Sequence, residues 1–247
     1  MLRFVCIFLA LVTFCTTLKL PPSFKKCNLR SGDLDQCLST AIQEAIQQLK
    51  KPLPEYGLPN LEPFEPPKEA FLEYGNETTG IRQKYFNIKM NGFTKIEKTN
   101  ARFSLKRKIL FLNITFSELV FLSDYEARGK FILYPVDVST TAALKLIKPT
   151  FKVVFKLEEY QKENAKYFRA LGSSVYIFLD KMTYDFKNIF QEELLNKELN
   201  RGMNDNWKNI ARFLQATFPT FWITLFQQMF NNLLEKVPAS DLFDGVE

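Results

Sequence analysis

Residues 205–243 read DNWKNIARFLQATFPTFWITLFQQMFNNLLEKVPASDLF, and the reading of this stretch decides the fold. Trp207, Ile210, Ala211, Leu214, Phe218, Phe221, Leu225, Met229 and Leu233 recur at helical spacing. They form one stripe of a helix capped by Asp205 and running to about Glu235. Pro219 removes a backbone donor inside that helix, which predicts a kink near Gln215 to Phe218. Past the kink, Phe221, Trp222, Ile223, Leu225, Phe226, Met229 and Phe230 point in nearly every direction. A helix that is apolar all round must be enclosed by other structure.

The enclosing structure is legible upstream as period-two sequence from about Gly80 to Lys152. Leu110, Leu112, Ile114 and Phe116 share one face and leave Phe111, Asn113 and Thr115 on the other. Phe103 and Leu105 have the opposite parity, so a turn or bulge is expected near Lys106 to Lys108. Phe151, Val153, Phe155 and Leu157 alternate with Lys152, Val154, Lys156 and Glu158. Met182, Tyr184 and Phe186 alternate with Lys181, Thr183, Asp185 and Lys187. Strands with one apolar and one wet face belong to antiparallel sheet. Gly172-Ser173-Ser174 reads as a turn.

At the N-terminal side, Leu34, Leu38, Ala41, Ile42, Ala45, Ile46 and Leu49 predict a helix from about Asp33 to Lys50, with Ser31 as its cap. Pro52 and Pro54 stop it, and the proline-rich run from Leu53 to Pro67 is expected to be extended. The fold class is therefore α+β: a long C-terminal helix wrapped by curved antiparallel sheet, with a short N-terminal helix at one end.

Residues 1–17 read as a secretory signal. Arg3 is their only charge, Phe4 to Val12 form a short apolar core, and Cys15, Thr16 and Thr17 follow. No later segment supplies the roughly 18 uninterrupted apolar residues of a membrane span. Residues 18–247 are read as a single domain. In an oxidising compartment Cys27 and Cys37 should pair, contributing on the order of 2–3 kcal/mol and pinning the chain start to the first helix. Two glycosylation sequons stand at Asn76-Glu77-Thr78 and Asn113-Ile114-Thr115, the second requiring Asn113 to face water.

The net charge is +6, mild for 247 residues, and its densest patch is Arg102, Lys106, Arg107 and Lys108. That patch reads either as a solvated strand end or as a landing site for anionic lipid head groups. Secretion and the lack of any binding motif argue against nucleic acid. The chain has no histidine, which excludes histidine-dependent triads and histidine-ligated zinc. No nucleophile elbow or phosphate-binding glycine loop is present. Glu158-Glu159 and Glu192-Glu193 are adjacent, so a regular element points each pair apart. No catalytic residue, metal or cofactor is expected.

Several pieces of the sequence together carry a family likeness. These are Cys27 and Cys37 before the first helix; Gly57-Leu58-Pro59-Asn60-Leu61-Glu62-Pro63-Phe64; and Phe116 with Leu119, followed by Asp124-Tyr125 and Gly129. Asp205-Asn206-Trp207 and Val237-Pro238 with Asp241-Leu242-Phe243 complete the set. In their order and spacing they resemble the takeout and juvenile-hormone-binding proteins of insects across the whole mature chain. The resemblance implies a strongly bent antiparallel sheet rolled around one long helix and enclosing a tunnel, similar to the tubular lipid-binding modules of secreted lipid-transfer proteins. Ser117 replaces the family's usual proline, Pro135-Val136-Asp137-Val138-Ser139 lacks the two glycines of a family turn, and Gln191-Glu192 stands where asparagine-glycine is usual. These departures mark a divergent member whose ligand does not simply copy that of its relatives.

The expected function is that of an extracellular carrier, in haemolymph or another fluid, for an elongated hydrophobic molecule such as a juvenile-hormone-like terpenoid or a fatty-acid-like lipid. A monomer is expected. Twenty-five phenylalanines leave irregular gaps that suit such a guest. Burying about 15 carbons would gain roughly 12 kcal/mol gross, of which association takes back half or more. The expected wall is Leu110, Leu112, Ile114, Phe116, Phe131, Leu133, Phe151, Val153 and Phe155, with Phe218, Phe221, Leu225 and Met229 from the helix. Tyr125, Tyr134 and Tyr184 are candidate hydrogen-bond handles, Tyr125 first. Two rivals remain: a membrane-active protein using the basic patch for lipid transfer or microbial-envelope binding, and a signal protein with a filled core.

Overall fold

The computed structural model describes residues 18–66, 69–74, 80–131, 134–162, 164–217 and 219–246; of Tyr74, Phe131, Thr217 and Pro219 it describes the backbone alone. The signal reading of residues 1–17, the sequon at Asn76, and the side chains of Phe131, Leu133 and Phe218 lie outside the described residues.

The architecture is α+β. Among the described residues, strands β1 (Cys27–Asn28), β2 (Ala70–Tyr74), β3 (Ile81–Asn91), β4 (Ile96–Ser104), β5 (Ile109–Phe116), β6 (Glu118–Phe131), β7 (Tyr134–Ile147), β8 (Thr150–Lys162), β9 (Ala165–Phe178), β10 (Lys181–Phe186) and β11 (Phe243–Asp244) build three sheets. The five-stranded sheet has the order β10-β7-β6-β3-β2, the four-stranded sheet β4-β5-β8-β9, and β1 pairs with β11. The strands of the two larger sheets pair antiparallel throughout. The parity switch expected near Lys106 to Lys108 is the tight β4–β5 turn, where Ser104 pairs with Ile109 and Lys108 takes a left-handed φ of 55°.

Helix α1 (Leu34–Gln48) ends before Pro52, with Asp33 rather than Ser31 at its N-cap. The run after it is not wholly extended: Pro54–Tyr56 forms one 3₁₀ turn that Leu53 and Leu58 close by a bridge. Glu62 then fixes the run to the β3–β4 turn. Its carboxylate accepts from the Gly92 and Thr94 backbone N–H groups at 2.9–3.0 Å.

The expected C-terminal helix is described as α3 (Trp207–Thr217) and α4 (Pro219–Leu234), on either side of residue 218, which lies outside the described residues; a further helix, α2 (Glu193–Asp205), precedes it. A short α5 (Ala239–Leu242) follows. Asp205 ends α2 rather than opening a helix. Gly172-Ser173-Ser174 is not a turn either. It lies inside β9 opposite β8, just past a register shift at Lys156/Leu157, and the extra residue of that bulge bends the strand.

Sheet edges are capped by helix side chains. Asn196, Asn200 and Asn204 recur every fourth residue and so share one face of α2. Their amides pair with the backbone beside β10: Asn204 with Tyr184 at 2.7 and 3.0 Å, Asn200 with Phe186 at 2.9 Å in both directions, and Asn196 with Phe190 at 2.8 and 2.7 Å. Asn231 of α4 does the same for Ala170 on β9, and Asp35 and Ser39 of α1 accept from Phe103 and Ala101 on β4. Unpaired edge groups that would otherwise recruit another strand are satisfied within the chain.

The two termini of the described chain meet. Cys27 pairs with Phe243 in β1–β11, and a disulfide joins Cys27 to Cys37 on α1. Gly129 of β6 has φ +129°, and a Cβ there would lie 2.2 Å from the Gly80 carbonyl oxygen, so this strand pairing requires glycine.

Candidate functional site

The molecule has a filled half and a hollow half. In the filled half, α4 lies against the inner face of the four-stranded sheet. Phe151 is fully buried, with ring centroids 5.0 Å from Trp222, 5.4 Å from Phe226 and 5.8 Å from Phe116. Phe155 meets Phe230 at 4.4 Å. Here the expected wall residues Leu112, Ile114, Phe116, Phe151, Val153 and Phe155 interlock as solid core, and Leu110 touches only a small gap of about 130 Å³ beneath α1.

The hollow half lies under the five-stranded sheet. A cavity of about 980 Å³ is bounded by β2, β3, β6, β7 and β10 on one side and by α2, α3 and the start of α4 on the other. That volume is at the upper end of the roughly 300–1,000 Å³ usual for small-molecule sites. Strand alternation supplies one wall: Phe121, Ser123 and Tyr125 from β6; Ala142, Leu144 and Leu146 from β7; Met182, Tyr184 and Phe186 from β10. The helices supply the other, with Leu199 and Met203 from α2, then Trp207, Ile210, Ala211 and Leu214 from α3, then Phe221 and Trp222.

Of the residues expected to contact the guest, the structure brings Phe221 and the candidate handles Tyr125 and Tyr184 to the cavity. Leu110, Leu112, Ile114, Phe116, Phe151, Val153 and Phe155 face the filled half instead. Leu225 and Met229 pack half-buried against the core from α4, and Tyr134 is half-exposed beside Phe190. Residues not expected at the cavity include Gln83 and Tyr85, Ala142 to Leu146, and the α3 part of the helical stripe, Trp207, Ile210, Ala211 and Leu214. Their signal was present as alternation and as helical stripe. What it lacks is any indication of which sheet the helix fills and which it leaves open.

The polar chemistry of the cavity is concentrated on β3 and β6. The Tyr125 hydroxyl donates to Gln83 Oε1 at 2.8 Å and the Tyr85 hydroxyl donates to the same oxygen at 3.1 Å. Tyr125 packs 5.0 Å from both Tyr85 and Phe186, and Tyr184 stacks on Phe186. Burial raises the pKa of Tyr85, Tyr125 and Tyr184 well above the usual phenol value. These phenols therefore stay neutral in the folded protein, whereas those of the unfolded chain ionise near pH 10. The stability this contributes is fully present below about pH 10 and is lost as pH rises from there towards the folded values. Tyr125→Phe is expected to flatten the fall of Tm above about pH 10, measured by thermal unfolding at several pH values; an unchanged slope would contradict it.

The charged residues that line the cavity, among those described, are Lys130, Lys208 and Arg212, and all three are exposed. None of Arg102, Lys106, Arg107 and Lys108 reaches it. Lys108 is held by Glu159 at 2.7 Å and lies 5.5 Å from the Phe168 ring, and its hydrogen bond holds the Glu159 carboxyl below the usual range. Asn113 is half-buried on the outer face of β5, opposite Asn100 and Lys152. No helix of the described residues is long and apolar enough to cross a membrane.

Among solved structures, Takeout 1 of Epiphyas postvittana superposes with a TM-score of 0.70 at 19% identity, covering 90% of this chain and 99% of that one. A lipopolysaccharide binding protein aligns with a TM-score of 0.44 at 14% identity, over 76% of this chain and 36% of that one. No curated protein sequence matches. The family model described as haemolymph juvenile hormone binding protein matches residues 5–244, and the chain belongs to that family.

Proposed function

We propose that the protein is a secreted, non-enzymatic carrier that holds one elongated hydrophobic molecule in the cavity under its five-stranded sheet. The observation that carries this reading is the cavity itself: about 980 Å³, walled by aliphatic and aromatic side chains, in a chain whose other half is packed solid. A terpenoid or fatty-acid-like lipid suits a space of that size and polarity. Its contacts would include Tyr125 and Phe221, with the inner faces of β7 and α3. Cleavage after residue 17, a glycan on Asn76 or Asn113, and a monomeric state belong to the same reading.

Family membership supports a binding protein, and the lack of histidine supports the absence of catalysis. The basic β4–β5 turn stands apart from the cavity, so guest binding has no need of it. A neutral fluorescent apolar probe such as N-phenyl-1-naphthylamine should therefore saturate at one per chain, with an affinity that changes little with salt. Binding only in the presence of anionic vesicles, and lost at high salt, would transfer the function to the basic patch.

A further inference from the structure

Gln83 is held in one orientation by two buried phenols, since both donate to its side-chain oxygen. The amide oxygen is thus used by the protein, and the Nε2 end keeps two N–H donors. Among the described residues no protein group accepts from them, and Gln83 lines the cavity. Ser123, two residues before Tyr125 on the same face of β6, also lines the cavity, and its hydroxyl has no protein partner among the described residues. Among the described residues, the Tyr184 hydroxyl reaches only the Met182 sulfur, at 3.6 Å. Donors left without an acceptor in an apolar enclosure are costly, so the guest or a water must supply an oxygen there.

We propose, resting on the reading of the cavity as a guest site, that Gln83 is its polar anchor. The Nε2 group donates to a neutral acceptor oxygen on the guest, an ester, ketone or ether oxygen. The cavity accordingly prefers an oxygenated lipid to a hydrocarbon of the same length. A carboxylate at this point would bring an unpaired charge into an apolar wall, beside two phenols that already give their protons to Gln83.

The test is displacement of bound N-phenyl-1-naphthylamine by heptadecan-2-one and by heptadecane, in the wild type, Gln83→Met and Gln83→Leu. Both variants remove the N–H donors without introducing a charge, and a melting curve on each verifies that the fold is kept. The wild type should favour the ketone by about tenfold or more, the effect of one well-made hydrogen bond to a buried group. Both variants should reduce that preference to within about twofold and leave displacement by the alkane unchanged. A preference that persists in both variants, or an equal loss for ketone and alkane, would overturn the anchor. A wild type that binds the probe and the alkane but shows no ketone advantage would overturn the anchor and leave the carrier reading standing. Failure of the wild type to bind the probe at all would overturn both.

Discussion

Ala142→Trp is expected to weaken guest binding about a hundredfold while leaving the fold intact. Ala142 sits in mid-sheet on β7, between Ser123 and Phe186, with its methyl facing the cavity. An indole there occupies space that three or four methylenes of a guest would fill. At about 0.8 kcal/mol per methylene the loss is roughly 2.5–3 kcal/mol, or about two decades in Kd. Overpacking a solid core usually costs about 1–3 kcal/mol. A ring entering existing space avoids most of that, so thermal stability should hold or rise. Probe titration and a melting curve on the same preparation check both halves of the expectation. Unaltered affinity would place the guest elsewhere, and a large fall in Tm would mean that the space is not available.

Phe151→Ala probes the other half of the molecule and should have the largest effect on stability. Its ring is fully buried against Phe116, Trp222 and Phe226, and the collapse of three aromatic neighbours into the vacated space can only be partial. A loss of about 3–5 kcal/mol is expected in denaturant unfolding. Leu144→Ala, on the cavity wall, should cost about 1 kcal/mol. Its side chain already faces open space on one side and gives up fewer contacts. Similar losses at the two positions would contradict the division into filled and hollow halves.

That division is the part of the site that sequence pattern alone did not resolve. Period-two alternation identified the inner faces of β5, β8 and β10 correctly. Phe151 and Tyr184 nonetheless look alike in sequence: each is an aromatic residue on the apolar face of an alternating strand. Their fates differ because α4 packs on the inner face of the first strand's sheet, whereas α2 is bonded to the edge of the second at β10 and the cavity lies under that sheet's inner face. Helix α2 was the main element overlooked. It buries no residue fully, and it is held to β10 by asparagine amides rather than by an apolar stripe. Asparagine at every fourth position carries little helical propensity of its own, so only the tertiary pairing reveals its purpose. Gln83 was equally silent, because a glutamine in a strand acquires meaning only when two tyrosines from β3 and β6 converge on its oxygen.

Native mass spectrometry of the protein, gently isolated from its natural source, tests the central claim most directly. A chain accompanied by one small apolar molecule, released on denaturation and absent from Ala142→Trp, is the predicted result. A bare polypeptide that takes up no lipid even when saturated with one would contradict it.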